Sequence, residues 1–290
     1  MISRRAPRRR RWLPQATALG VLVVLVAAVG LIRVATMPGT SLPAGQPASP
    51  TAIASAPVRV AADPAAVLRR IAAELTTGAP DPPPARYEYV ERVAWQTGTG
   101  SPGGQPGRRI QFWTTGHGTS RTAIVDEAQG CPPLQDESGH DLGPFDGSLS
   151  SAPDALRRQI LGEPLPPGAV PDIFGQVSEL FGNRYVRQAT RRGVLLMLSH
   201  QPGIRVQPAV TDRLGRSGIA VTWIYRPPMP FTSTKTLIFD PRTGQLLASH
   251  SQNHPTPDAP PSTLSTEEGY LLFVAHTYTP NTRTPAIRCT

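Results

Sequence analysis

Lysine is almost missing from this chain: Lys235 is the only one, and the other 28 of the 29 basic residues are arginine. Together with the abundance of Ala and Pro, that skew reads as a high-GC bacterial coding bias and carries no function. Charge is also scarce, at 17% of residues against 39% hydrophobic, which excludes wholesale disorder and leaves enough apolar material for a core. No zinc-finger, helix-turn-helix or RRM signature is present, nor a Gly-x-Ser-x-Gly elbow, a phosphate-cradling glycine loop or a dinucleotide fingerprint. The six histidines fall in no zinc or haem spacing. His250 and His254 are four apart, but read as a strand end and a Pro-flanked loop, where that spacing does not place them on one face. The sequence therefore predicts no cofactor, no metal site and no catalytic residue. A hydrolase whose carboxylates converge only in space is the third of three readings.

The net charge of +9 invites a nucleic-acid partner, but Arg4, Arg5, Arg8, Arg9, Arg10 and Arg11 account for most of it, and removing those six leaves +3. The remainder is an ordinary solvated surface, and no nucleic-acid binding is expected. The six arginines flank an uncharged run from Leu13 to Ile32, LPQATALGVLVVLVAAVGLI. At about 1.5 Å per residue this run spans about 30 Å as a helix, the thickness of a bilayer's hydrocarbon core. Trp12 sits where an interfacial aromatic belongs, and the positive-inside rule keeps the N-terminus cytoplasmic. No clean small-x-small site follows Ile32, which favours an uncleaved anchor over a cleaved signal peptide. The expected organisation is a basic cytoplasmic tail (1–12), a transmembrane anchor (13–32), a Pro/Ala/Ser-rich linker (33–62) and one extracytoplasmic domain (63–290) at the cell membrane. The sequence leaves the oligomeric state open.

Within the domain, Asp63 is placed to cap a helix that starts at Pro64, with Val67, Leu68, Ile71 and Leu75 at helical spacing. Strands are expected over Arg86–Thr97, Arg109–Trp113 and Thr119–Asp126, the last two as a hairpin. A surface loop over Ala128–Ser151 follows. Three helices are then expected around Ala155–Leu161, Ile173–Phe181 and Val186–Leu198. Turn signals, among them Asp240-Pro241-Arg242-Thr243-Gly244, divide the last third into strands at Ile204–Thr211, Gly218–Arg226, Thr232–Phe239, Gln245–Ser251 and Tyr270–Tyr278. The fold class is α+β, a largely antiparallel, curved sheet with helices packed to one side.

Cys131 and Cys289 are the only thiols, and an even count in an exported domain favours a disulfide, worth about 5 kcal/mol in the chain-entropy model for so long a loop. Two free cysteines are the alternative. Trp113, Trp223, Tyr225, Phe239 and Phe273 form an aromatic set on predicted strands. Such sets are ordinarily core, but a sheet that curves away from its helices leaves a lipophilic cleft, for which Trp113, Trp223, Tyr225 and Phe239 are the candidate lining residues.

The segment Arg86-Tyr87-Glu88-Tyr89-Val90, the helical section ending in Gln201-Pro202-Gly203-Ile204, and Leu237-Ile238-Phe239-Asp240-Pro241-Arg242-Thr243-Gly244-Gln245-Leu246-Leu247 resemble, in that order, an actinobacterial family of uncharacterised membrane-anchored extracytoplasmic proteins. Members of that family are often encoded beside extracytoplasmic-function sigma factors. The domain resembles more distantly the LolA, LppX and RseB group, in which a curved antiparallel sheet wraps helices and binds acyl chains or a partner peptide. The resemblance implies a non-enzymatic binding domain for a lipophilic ligand or an envelope protein, linked to sigma-factor regulation. The second reading is a structural adaptor that pairs a partner's strand at an open sheet edge.

Overall fold

A computed structural model describes residues 60–75, 80–97, 107–117, 120–126, 142–162, 171–226, 231–256 and 267–283. The expected anchor, its basic tail, nearly all of the linker, Cys131 and Cys289 lie outside the described residues. Among the described residues no helix is long and apolar enough to cross a membrane. The chain divides into two units, Met1–Ile53 and Ala54–Thr290, and all that follows concerns the second.

Helix α1 (Pro64–Glu74) starts as its sequence dictates: the Asp63 carboxylate accepts the Ala66 N–H at 2.9 Å, and Pro64 occupies a first-turn position that needs no donor. Its stripe of Leu68, Ile71, Ala72 and Leu75 is buried. Strands β1 (Tyr87–Thr97), β2 (Arg108–Thr114) and β3 (Ser120–Asp126) form a meander. Helices α2 (Pro153–Leu161), α3 (Ile173–Asn183) and α4 (Gln188–Ser199) come next. A second meander follows, β4 (Arg205–Thr211), β5 (Ser217–Tyr225), β6 (Phe231–Phe239), β7 (Leu246–Pro255) and β8 (Glu267–Thr279).

The two meanders join because β8 pairs with β1, giving one eight-stranded antiparallel sheet in the order β3-β2-β1-β8-β7-β6-β5-β4. β3 and β4 are thus the two edges, and the chain passes from one to the other through the three central helices. That crossing lays the helices over one face of the sheet. Register shifts at Glu91/Arg92, Gln207/Val210 and Ile238/Phe239 bend the strands, and the sheet is open and curved.

Alternation assigns the two faces. Val90, Phe112, Phe273, Leu237, Phe239, Val221 and Trp223 look toward the helices, and most of them share the main core with Leu68, Phe174, Leu180, Phe181 and Leu195. The opposite face carries a smaller cluster of Val93, Ala220, Ile238, Leu247, Tyr270 and Leu272, and a third of Tyr89, Trp113 and Ala123. The sheet is therefore apolar on both sides.

Three details differ from the sequence reading. The end of the expected Ala128–Ser151 surface loop contains a short 3-10 turn, Gly143–Phe145, that buries Leu142 and Phe145 in the core. Val186 precedes α4 instead of belonging to it, because the chain between Arg184 and Arg187 is extended. β7 runs on to Pro255, so His250 and His254 both lie within a strand, where a spacing of four puts them on the same face. Pro255 is tolerated there because it is the strand's last residue.

Candidate functional site

Helix α3 crosses the sheet from β6 to β1 with small residues on its sheet-facing side. The Asp172 carboxylate caps it through the Gly175 N–H at 2.9 Å and also pairs with Lys235 of β6. A Cβ on Gly175 would lie 2.3 Å from the Asp172 carboxylate, and one on Gly182 would lie 2.0 Å from a terminal nitrogen of Arg92. Glycine at both positions lets the helix approach closely enough for these side chains to pass beneath it.

Two hollows follow one another along this helix. The first, about 420 Å³, lies between Gly175, Ser178 and Glu179 of α3 and the sheet residues Ala94, Ser249, Ser251, Gly269 and Lys235. Ala94, Ser249, Ser251 and Gly269, none larger than Ser, leave this space around Leu271, which is opposite both Ala94 and Ser249 and also lines the hollow. The second, about 400 Å³, lies beyond Asn183, where α3 ends before it reaches β3, and is lined by Arg92, Ile110, Phe112, Thr122, Ile124 and Phe145 among others. Gly175, Glu179 and Asn183 share one stripe of α3, and Arg92 and Ala94 share one face of β1, so the hollows are successive stretches of a single strip.

The two cations on the strip have different circumstances. Lys235 is engaged by Asp172, and its Nζ lies 5.9 Å from the Tyr225 ring centroid. The Arg92 guanidinium has no hydrogen-bond or ion-pair partner among the described residues, and its Nε is buried. Burial lowers its pKa from the ordinary value, with the Glu179 carboxylate pulling the other way. Thr122 in the same hollow has a buried hydroxyl with no partner either. Nothing in the sequence marked Arg92 beyond its place in a strand. The available signal was one arginine between Val90 and Ala94 on the face that must look toward helices.

A third, more polar hollow of about 230 Å³ borders Glu88, His117, Arg184 and Tyr185. Its charged walls are already in use. Arg184 holds Glu88 through two hydrogen bonds of 2.6 and 3.1 Å and donates to the carbonyls of Phe145 and Gly147, and the Tyr185 N–H donates to Glu88 at 3.1 Å. Nearby, Asp81 accepts from the Tyr185 hydroxyl, the Gln188 N–H and Arg191. Burial, with the Asp81 hydrogen bond assisting, pushes the Tyr185 phenol up to about 12. These are fully satisfied structural knots that fix the α3–α4 connection to β1.

Of the aromatic candidates, Trp223 and Tyr225 stack on each other at 4.5 Å on the helix-facing side, and Phe174 stacks on Trp223 at 5.6 Å. Phe239 is fully buried against Phe181. Trp113 lies on the opposite face, 1% exposed, against Tyr89. None of the four borders either hollow, and Tyr225 comes nearest, through Lys235.

No family model matches this chain, and no curated protein matches it. Among solved structures it is similar to a LolA superfamily protein from Nitrosomonas europaea, at 11% identity over 74% of this chain and 93% of that chain, with a TM-score of 0.22.

Proposed function

We propose that this chain is a non-enzymatic, membrane-tethered binding protein whose extracytoplasmic domain holds a lipophilic ligand in the strip beneath α3. The observation that carries the reading is the pair of successive hollows, each of about 400 Å³, between a glycine-bearing helix and the inner face of a curved sheet. That size falls within the range of small-molecule sites, and the Ile110, Phe112, Ile124 and Phe145 walls reward apolar contact at roughly 25 cal/mol per Å² buried. The uncharged run Leu13–Ile32 behind six arginines supports the tether, and the resemblance to proteins encoded beside sigma factors supports a reading in which ligand occupancy feeds envelope regulation.

The test is native mass spectrometry of the full-length chain extracted from membranes, compared with Ile124→Trp and Ser249→Trp, which fill the two hollows. The expected result is a co-purifying lipophilic adduct that at least one substitution removes while the domain still melts cooperatively. An empty wild-type protein whose melting is indifferent to added amphiphiles overturns the reading.

A further inference from the structure

We infer that the hollow beyond α3 selects amphiphiles with an anionic head, and that Arg92 is the residue that recognises the head. This rests on the binding reading above and adds the chemistry of the ligand to it.

The argument starts from what is unusual about Arg92. An arginine on the buried face of a strand ordinarily stands in an ion pair or donates to carbonyls, because an unpaired guanidinium in an apolar setting is costly. The same domain shows the ordinary case twice. Arg184 reaches a carboxylate and two carbonyls, and Arg191 reaches one carboxylate and two carbonyls. Arg92 does neither among the described residues. The carboxylate that acts on it there, Glu179, is an exposed side chain that does so only at a distance and is bonded to Asn183 at 3.3 Å. Gly182 leaves room for the guanidinium where it stands, since a Cβ there would lie 2.0 Å from one of its terminal nitrogens. The guanidinium thereby stands, without a partner among the described residues, at the wall of a hollow whose other sides include Ile110, Phe112, Ile124, Leu142 and Phe145.

Thr122 supplies an independent second observation. Of the five buried side-chain polar atoms without a partner among the described residues, two belong to residues that line this hollow, Arg92 Nε and Thr122 Oγ1. In the sheet register Arg92 is opposite Ile110, which is opposite Ile124, while Thr122 sits one pair further along, opposite Phe112. The two unmet groups are therefore diagonal to each other across β2, with the Ile110 and Phe112 side chains between them. A ligand matching this pattern has an anionic group at Arg92, apolar substance over β2 and space for a hydrogen-bonding atom toward Thr122. At roughly 30 Å³ per water-sized unit, about 400 Å³ accommodates on the order of a dozen methylene groups, which is one chain and not two. The class is a single-chain amphiphile headed by a carboxylate or a phosphate.

The experiment uses the full-length chain in amphipol and displacement of a fluorescent fatty acid by four competitors with the same alkyl chain. They are palmitate, hexadecyl phosphate, methyl palmitate and hexadecanol. A charge-assisted fork predicts that palmitate or the phosphate binds roughly ten-fold or more tightly than either neutral compound. Which anion is the stronger identifies the head as an acid or a phosphate ester. Arg92→Gln is expected to abolish the preference, Arg92→Lys to restore part of it, and Ile124→Trp to weaken all four. Equal affinity for charged and neutral competitors in the wild type overturns the assignment and leaves the binding reading standing. Binding of none of the four overturns both. Because the wild-type ranking needs no variant, a failure of Arg92→Gln to fold does not remove the test.

Discussion

At the scale of single residues, the interior arginines divide into those that hold the fold and one that does not. Replacing Arg184 by Met strips the Glu88 carboxylate and two buried carbonyls of their donor, so a loss of about 3–5 kcal/mol is expected in urea denaturation. The double replacement Arg184→Met with Glu88→Leu recovers part of that loss, because no charge is then left alone. Arg92→Gln, by contrast, removes a half-buried cation that has no partner among the described residues, and is expected to leave the denaturation midpoint unchanged or raised. His276 gives a pH signature. Burial lowers its pKa to about 4 from 6.5, and its ring nitrogen donates to the Phe181 carbonyl at 2.9 Å. The unfolded chain binds the extra proton first, so this contribution is present above about pH 6.5 and is lost as the pH falls toward about 4. The ring is partly solvent-exposed, so the loss is on the order of 1 kcal/mol. The acid-side slope of thermal stability should be shallower in His276→Asn.

At the scale of elements, Asp172 does two jobs that substitution separates. Asp172→Asn keeps a good cap for α3 and loses only the partly exposed pair with Lys235, for an expected cost of about 0–1 kcal/mol. Asp172→Ala loses the cap as well and should cost about 1 kcal/mol more. Chemical denaturation of the two variants measures the difference. The same elements show how far the sequence could be read. α1 was legible because Asp63, Pro64 and the 68/71/75 spacing are local signals, and β4 to β8 because their turns carry Pro and Gly where a turn requires them. Gly244 is an instance, with φ 67° at the foot of the β6–β7 turn. The sequence reading ends this strand at Ser251 because the prolines from Pro255 onward signal a loop, whereas β7 runs on to Pro255, a terminal strand position that needs no N–H. The strip under α3 was not legible at all. It depends on Gly182 and Arg92 meeting across the core and on β1 lying next to β8, and no local pattern encodes a pairing between strands so distant in sequence.

At the scale of the whole molecule, the proposed topology predicts that a phosphatase fused after Val60 is active and that a fluorophore needing the cytoplasm is dark there. The opposite pair of results reverses the orientation. Unreduced protein should resist thiol alkylation and take label at both Cys131 and Cys289 after reduction, whereas labelling without reduction rules out the bridge. The β1–β8 ladder, in which Tyr87 lies opposite Thr279 and Thr97 opposite Glu268, has a consequence in time. Synthesis presents β1 long before its neighbour arrives. The first meander must wait with one edge open, and the second cannot lock onto it until β8 has emerged. Closing so long a loop makes assembly slow and defers it until β8 is available. During that interval β1, with Tyr87, Tyr89 and Trp95 along one face, carries an unpaired edge, and it is the segment most exposed to pairing with another chain before β8 is in place.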